Sequence, residues 1–291
     1  MREVKVHREP ITSDIIFKAV FGSDTEESKA SLIALLNDVL DTGDNPIVDL
    51  VYKNPFSLIE AAGEKYIVMD VKVELNSGER VDVEMQTGEY NVYINRTIFY
   101  GCKQLTKSIR DGESYDKLKP SIVISFVKDK IFSESKEIHN IFTLRNNMSG
   151  HQLSELLELH YIELGKIDWS DREVNKLSPL EQIGAYMLCS GNEDEKQFVE
   201  ELIQNGRAVI SMADNVLKKV SQDERLRNLR ESREYAEMQH SWELQNAEER
   251  GIEIGGKEKQ QEIAKRLKEM GISDADIVEG TGLSIEEVRK L

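Results

Sequence analysis

At 291 residues the chain is long enough to bury a sizeable core, as one large domain or two smaller ones. Hydrophobic residues make up 39% and charged residues 32%, so the surface is strongly polar, and no apolar run approaches the roughly 20 residues that span a bilayer. Two distant cysteines, Cys102 and Cys189, exclude a disulfide framework and zinc-finger spacing, and the five histidines show no paired ligand spacing along the chain. The start, Met1-Arg2-Glu3-Val4-Lys5, has no apolar stretch behind it, so no signal peptide is visible and a reduced cytoplasm is expected, with no membrane partner. The net charge of −16 speaks against an indiscriminate nucleic-acid binder but leaves room for a local basic groove.

The first element, Thr12 to Phe21, reads as a short helix ended by Gly22, with Thr12 or Ser13 as its cap and Asp14 suited to the dipole of its first turn. A second helix covers Glu26 to Leu40, and Pro46 followed by Ile47 to Tyr52 marks a change to sheet. From Tyr66 to Leu75 apolar Ile67, Met69, Val71, Val73 and Leu75 alternate with Tyr66, Val68, Asp70, Lys72 and Glu74, the period of a half-buried strand. Asn76-Ser77-Gly78 is a turn signal, after which Val81, Val83 and Met85 alternate with Arg80, Asp82, Glu84 and Gln86. Both apolar sets must share one face, because a one-residue slip would send one of them into solvent. A three-residue loop at 76–78 pairs Leu75 with Glu79 and therefore sets Asp70 opposite Glu84, with Gln86 on the same face.

Val92 to Ile109 reads as a helix with an apolar stripe of Ile94, Ile98, Cys102, Leu105 and Ile109, and with Arg96, Tyr100 and Gln104 on another face. Ile122 to Val127 reads as a strand buried on both faces, so strand, helix and strand imply a parallel crossover. Further β-like runs occur at Ile141–Leu144 and Tyr161–Leu164, and helices are expected from Pro179 onward. Residues 221–270 balance acidic and basic side chains with little apolar periodicity, as a long solvated helix or arm would, and Gly251, Gly255 and Gly256 are expected to interrupt it. Three regions follow: 1–210 as the main domain, 211–260 as a charged arm, and 261–291 as a small helical segment. The last has a helix–turn–helix rhythm, but its acidic second helix would meet phosphate poorly, so a homo-oligomer or protein contact is the expected role.

Two facing carboxylates beside an amide form a plausible Mg²⁺ or Mn²⁺ site, to which the Met85 carbonyl adds an oxygen. Periodicity alone leaves a second reading open, a solvated polar face, since Lys72, Arg80 and Asp82 lie on it too. The order of motifs weighs between them. Ser13 to Phe21, Asp70, Glu84-Met85-Gln86, the helix residues Arg96, Tyr100 and Gln104, Tyr115 to Pro120, and Leu159 to Leu164 together resemble the Rpn family of recombination-promoting nucleases. That family, often labelled transposases, falls within the PD-(D/E)xK nuclease superfamily, and the resemblance covers about residues 10–210.

The resemblance implies an α/β restriction-endonuclease-like core of α-β-β-β-α-β order, a mixed sheet flanked by helices, with a helical C-terminal region. It implies metal-dependent hydrolysis of DNA phosphodiesters, with Asp70 and Glu84 as metal ligands and Gln86 in the place of the superfamily's usual Lys. An amide carries no charge and cannot act as a general base, so Gln86 is left to orient water or a phosphate oxygen. Asp14 corresponds to an acidic residue on the first core helix, and Arg96, Tyr100 and Gln104 are candidates to face the site. Two other classes stay open: a nuclease fold that binds DNA or protein without cutting, and a scaffold built on the charged arm.

Overall fold

The computed structural model describes residues 8–56, 70–88 and 90–291, and the expected strand residues 66–69 lie outside them. By contacts the chain divides into two compact units, one ending at Arg230 and the other beginning at Glu231. In the first unit α1 (Asp14–Phe21) and α2 (Glu26–Leu40) precede β1 (Leu50–Tyr52), β2 (Val71–Leu75) and β3 (Arg80–Gln86). α3 (Tyr93–Thr106) crosses to β4 (Ser121–Val127), and β5 (His139–Arg145) and β6 (Gln152–Glu163) follow. The unit ends with α4 (Pro179–Cys189), α5 (Lys196–Asn205), α6 (Ala208–Val220) and the start of α7 (Glu224–Glu269).

Among the described residues six strands form one mixed sheet in the order β1-β2-β3-β4-β6-β5. β3, β4 and β6 run parallel at its centre, and the other pairings are antiparallel. The α/β, restriction-endonuclease-like class expected from the sequence is the one observed, including the helical crossover between the parallel strands β3 and β4. Seven consecutive residues of β4 are buried, as a central strand covered on both faces requires.

The hairpin register follows the side-chain alternation. Val71 pairs with Val83, Lys72 with Asp82, Val73 with Val81 and Glu74 with Arg80. At the turn the Leu75 N–H donates to the Glu79 carbonyl at 2.9 Å, and Gly78 holds φ +99°, a conformation open to glycine without a Cβ penalty. Val71, Val73, Leu75, Val81, Val83 and Met85 all enter the larger core, together with α1, α2 and the helices from Pro179 on. A smaller cluster of Tyr93, Val123, Val127, Leu159 and Tyr161 lies on the other side of the sheet, beneath α3.

α3 departs from expectation. Its buried residues are Tyr93, Thr97, Gly101 and Gln104, whereas Ile94, Ile98 and Cys102 of the expected stripe are exposed. The helix approaches too closely for large apolar side chains: a Cβ at Gly101 would stand 2.7 Å from the Leu157 Cδ1. Polar contacts fasten it instead, with the Ser121 hydroxyl donating to the Gly101 carbonyl at 2.9 Å and Thr97 Oγ1 and Tyr161 Oη 2.5 Å apart. At α1 the N-cap is Ser13, and its side chain makes no capping bond. The Asp14 carboxylate accepts instead from the adjacent Ile15 N–H at 2.6 Å.

In the second unit α7 continues without a break through Gly251, Gly255 and Gly256, which do not interrupt it as expected. Each glycine costs about 1 kcal/mol relative to alanine, and the surrounding Glu, Lys, Gln and Arg residues are strong enough helix formers to carry the helix across. α8 (Asp274–Thr281) and α9 (Ile285–Lys290) fold back on its last turns around Ala264, Ile277, Leu283 and Val288. Ser273 and Ser284 cap the two helices, and left-handed glycines make the turns before each, Gly271 after α7 and Gly282 after α8.

The segment ahead of α1 is tied to the helices near the end of the first unit. The Arg8 guanidinium, 5% exposed, bonds Asp214 at 2.6 Å and Glu200 at 2.8 Å, and the Glu9 N–H donates to Ser221 Oγ. Asp214 also accepts from Tyr186 Oη at 3.2 Å and pairs with Lys218 at 2.6 Å. Removing one partner of a buried ion pair strands the other charge. Asp214→Ala should therefore cost about 3 kcal/mol or more in urea unfolding, and a midpoint equal to wild type would contradict this role.

Candidate active site

The face of β2 and β3 that turns away from the main core carries Lys72, Glu74, Arg80, Asp82, Glu84 and Gln86. The parallel pairing continues this face across the sheet, aligning Glu84 with Ser125 and then Tyr161, and Asp82 with Val123 and then Leu159. α3 lies over it, packed on β3, β4 and β6. Strand alternation therefore delivers a row of carboxylates to the sheet face that α3 covers.

Asp70 stands one residue before the first pair of the β2–β3 ladder, so the observed register leads it to a place opposite Glu84. Its carboxylate is 6% exposed and is held from two directions. The Asn54 amide donates to Oδ1 and to the Asp70 carbonyl, both at 3.1 Å, and accepts the Lys72 N–H at 2.7 Å through its own oxygen. The Lys72 ammonium bonds Oδ2.

Glu84 accepts a 2.8 Å hydrogen bond on Oε1 from the hydroxyl of Tyr93, the residue that opens α3. Its other oxygen lies 3.8 Å from Arg96. Burial pushes the Glu84 carboxyl above the ordinary glutamate range, and the nearby Asp82 charge adds to this, while the Tyr93 bond and the charges of Arg96 and Lys72 oppose it. The Tyr93 hydroxyl is raised well above its usual value, first by burial and then by the Glu84 charge, so it stays a donor. Gln86 accepts from Arg96 at 2.7 Å and donates to the Gly88 carbonyl. Arg96 also covers the Tyr93 ring, 5.0 Å from its centroid.

Asp82, read from the sequence as an ordinary member of the polar face, is 2% exposed. Burial raises its carboxyl, against the pull of Lys72, whose Nζ lies 3.4 Å from Oδ2, and of Lys18, buried on α1. The Gln104 amide approaches Asp82 closely enough to favour its ionised form without completing a well-formed hydrogen bond. Asp82 Oδ1, Arg96 Nε and both polar atoms of the Gln104 amide are buried without a hydrogen-bond partner, and Ser125 Oγ, although near the Tyr93 hydroxyl, completes no well-formed bond either. Such a concentration of unsatisfied polar atoms on one face is unusual for a packed interior and is characteristic of sites that hold an ion, water or substrate.

Of the expected site residues, Glu84, Gln86 and Arg96 are in direct contact, and Asp70 is joined through Lys72 to Asp82 and to Tyr100, whose ring centroid is 5.7 Å from Nζ. Gln104 is buried beside Asp82, and Asp14 opens α1, the helix that brings Lys18 near that carboxyl. Sequence reading missed Tyr93, Asn54 and the burial of Asp82. The even-sum register already sets Asp82 across from Lys72, but its burial depends on α3, and nothing local marks Asn54 as a partner of a residue 16 positions away. Outside this site, pairing of β5 with β6 brings His139 Nε2 within 3.0 Å of His160 Nδ1. Burial, then the neighbouring ring, lowers the pKa of His139 to about 4.

Oxygen donors of this kind fit a hard divalent cation. Among the described residues no three His, Cys, Asp or Glu side chains are grouped as a ready metal cage. The family model described as PD-(D/E)XK nuclease family transposase matches residues 11–247. No curated protein and no solved structure matches the chain.

Because the folded-state pKa of Glu84 is raised, its ionisation opposes folding. The protonated form contributes stability that is complete below the unfolded value and lost as pH rises through the folded one. In metal-free buffer Glu84→Gln, which can still accept the Tyr93 bond, should melt higher than wild type at pH 7. The difference should vanish once the pH falls below the ordinary glutamate range. A Gln variant that melts lower at neutral pH would show Glu84 to be stabilised as an anion.

Proposed function

The chain belongs to the PD-(D/E)XK nuclease family transposases, and from that premise we propose that it is a divalent-metal-dependent DNA endonuclease acting in recombination or mobile-element biology. The observation that carries the reading is the β2–β3 register, which brings Asp82, Glu84 and Gln86 onto one face beneath α3 and leads Asp70 to the same end of it. In this reading Asp70 and Glu84, with the Met85 carbonyl, hold Mg²⁺ or Mn²⁺. When bound, such an ion supplies an activated water and neutralises charge developing on the phosphate.

The chain's own groups divide the remaining work. The Tyr93 hydroxyl occupies Glu84 Oε1 and fixes the carboxylate plane, leaving Oε2 available. Arg96 ties Gln86 to that carboxylate, so the amide is aligned rather than free to rotate. At 39% side-chain exposure the guanidinium can also meet a phosphate oxygen from solvent. Asn54 holds Asp70 through two hydrogen bonds, one to the carboxylate Oδ1 and one to its backbone carbonyl. The label "transposase" refers here to a family name: the fold is that of a restriction-type core, and the reaction proposed is phosphodiester hydrolysis. A non-cutting DNA-binding module is favoured by one feature, the uncharged Gln86.

Plasmid cleavage in Mg²⁺, Mn²⁺, Ca²⁺ or chelator separates the two. Wild type should cut in Mg²⁺ or Mn²⁺ and not in chelator, while Asp70→Ala and Glu84→Ala should fold and not cut. Gln86→Ala should slow cleavage by about one to two orders of magnitude, the value of one hydrogen bond to a charged group. DNA binding without cutting in any metal would favour the binding module.

A further inference from the structure

One cation is built into the carboxylate row. Lys72 stands directly across the ladder from Asp82, and its ammonium is shared between Asp70 Oδ2 and, at 3.4 Å, Asp82 Oδ2. The two carboxylates are 6% and 2% exposed, whereas the lysine side chain is 31% exposed and passes the Tyr100 ring. The ammonium is thus the solvent-accessible member of an otherwise buried ionic group. Two carboxylates share this ammonium, Lys18 on α1 adds its charge near Asp82, and Asp82 Oδ1 completes no well-formed hydrogen bond. A pair serving structure alone gains little from this arrangement, because burying a second carboxylate costs more than one shared ammonium returns.

We propose that Lys72 is a catalytic cation of this site, supplying the positive charge that Gln86 lacks, and that Asp82 is its positioning residue. This rests on the metal-dependent reading above. In the metal-free protein Lys72 neutralises Asp70. When Asp70 becomes a metal ligand, Lys72 gives up that carboxylate, stays on Asp82 and turns its ammonium toward the scissile phosphate. Two consequences have opposite signs, which a simple ion pair would not produce. Removing Lys72 frees Asp70 and strengthens metal binding while weakening cleavage. Neutralising Asp82 leaves the ammonium to Asp70 alone and weakens both.

The test measures Mn²⁺ affinity by titration calorimetry without DNA, and plasmid cleavage at saturating Mg²⁺, on the full chain. Lys72→Met should bind Mn²⁺ about fivefold tighter or more and cut about 100-fold slower or worse. Asp82→Asn should bind Mn²⁺ more weakly and cut about tenfold slower, and the double variant should cut no slower than Lys72→Met, because both changes act through one ammonium. Lys72→Gln carries the same comparison if the methionine variant does not fold. Unchanged cleavage by Lys72→Met or Lys72→Gln, with wild type binding metal and cutting, overturns the role of Lys72 alone. Tighter metal binding with unchanged cleavage does so too, since Lys72 would then be only a placeholder. A wild type that binds no Mn²⁺ overturns the nuclease reading and this inference with it.

Discussion

The arrangement depends on the pairing of β3 with β2 on one side and β4 on the other. A strand hydrogen-bonded along both edges cannot slip, and its alternate residues are committed to opposite faces. Val81, Val83 and Met85 go to the main core, so Asp82, Glu84 and Gln86 must face α3. Burying carboxylates is costly unless they are paired or hydrogen-bonded. Much of the surrounding polar chemistry answers that cost: Lys72 on Asp70 and Asp82, Tyr93 and Arg96 on Glu84, and Asn54 on Asp70. The compensation is incomplete, and a group of unsatisfied atoms lies where chemistry is proposed.

α3 is the second determinant. A helix that covered this face with leucine and isoleucine would seal it. This one presents tyrosine, threonine, glycine and glutamine, so it packs close while leaving polar groups beneath it. Tyr93, Arg96, Tyr100 and Gln104 lie along one side of it at spacings of three and four residues, and each reaches a different member of the row. The same helix therefore walls the site and supplies its donors.

Charge is distributed unevenly around this centre. The chain carries a net −16, yet the side chains that accompany the carboxylates include Lys72, Arg96 and, on α1, Lys18. An acidic total is thus compatible with a locally mixed site, in which fixed cations already screen the carboxylates from an approaching phosphate.

The hairpin, its three-residue loop, its register and the crossover to a doubly buried strand were legible in the sequence, because each follows from strand periodicity or from local turn chemistry. So was the placing of Glu84 and Gln86 on one face, since alternation is a property of the strand itself. The resemblance to a nuclease family likewise rested on motif order along the chain. What the tertiary structure alone decided was burial and partnership. The stripe of Ile94, Ile98 and Cys102 has helical spacing, yet it points outward because Gly101 lets the opposite face approach the sheet. Asp82 looked like any exposed strand residue until α3 covered it, and the contacts of Asn54 with Asp70 and of His139 with His160 join residues no local pattern connects. Periodicity specifies which residues share a face, but which face is covered, and by what, is set by packing between elements distant in sequence.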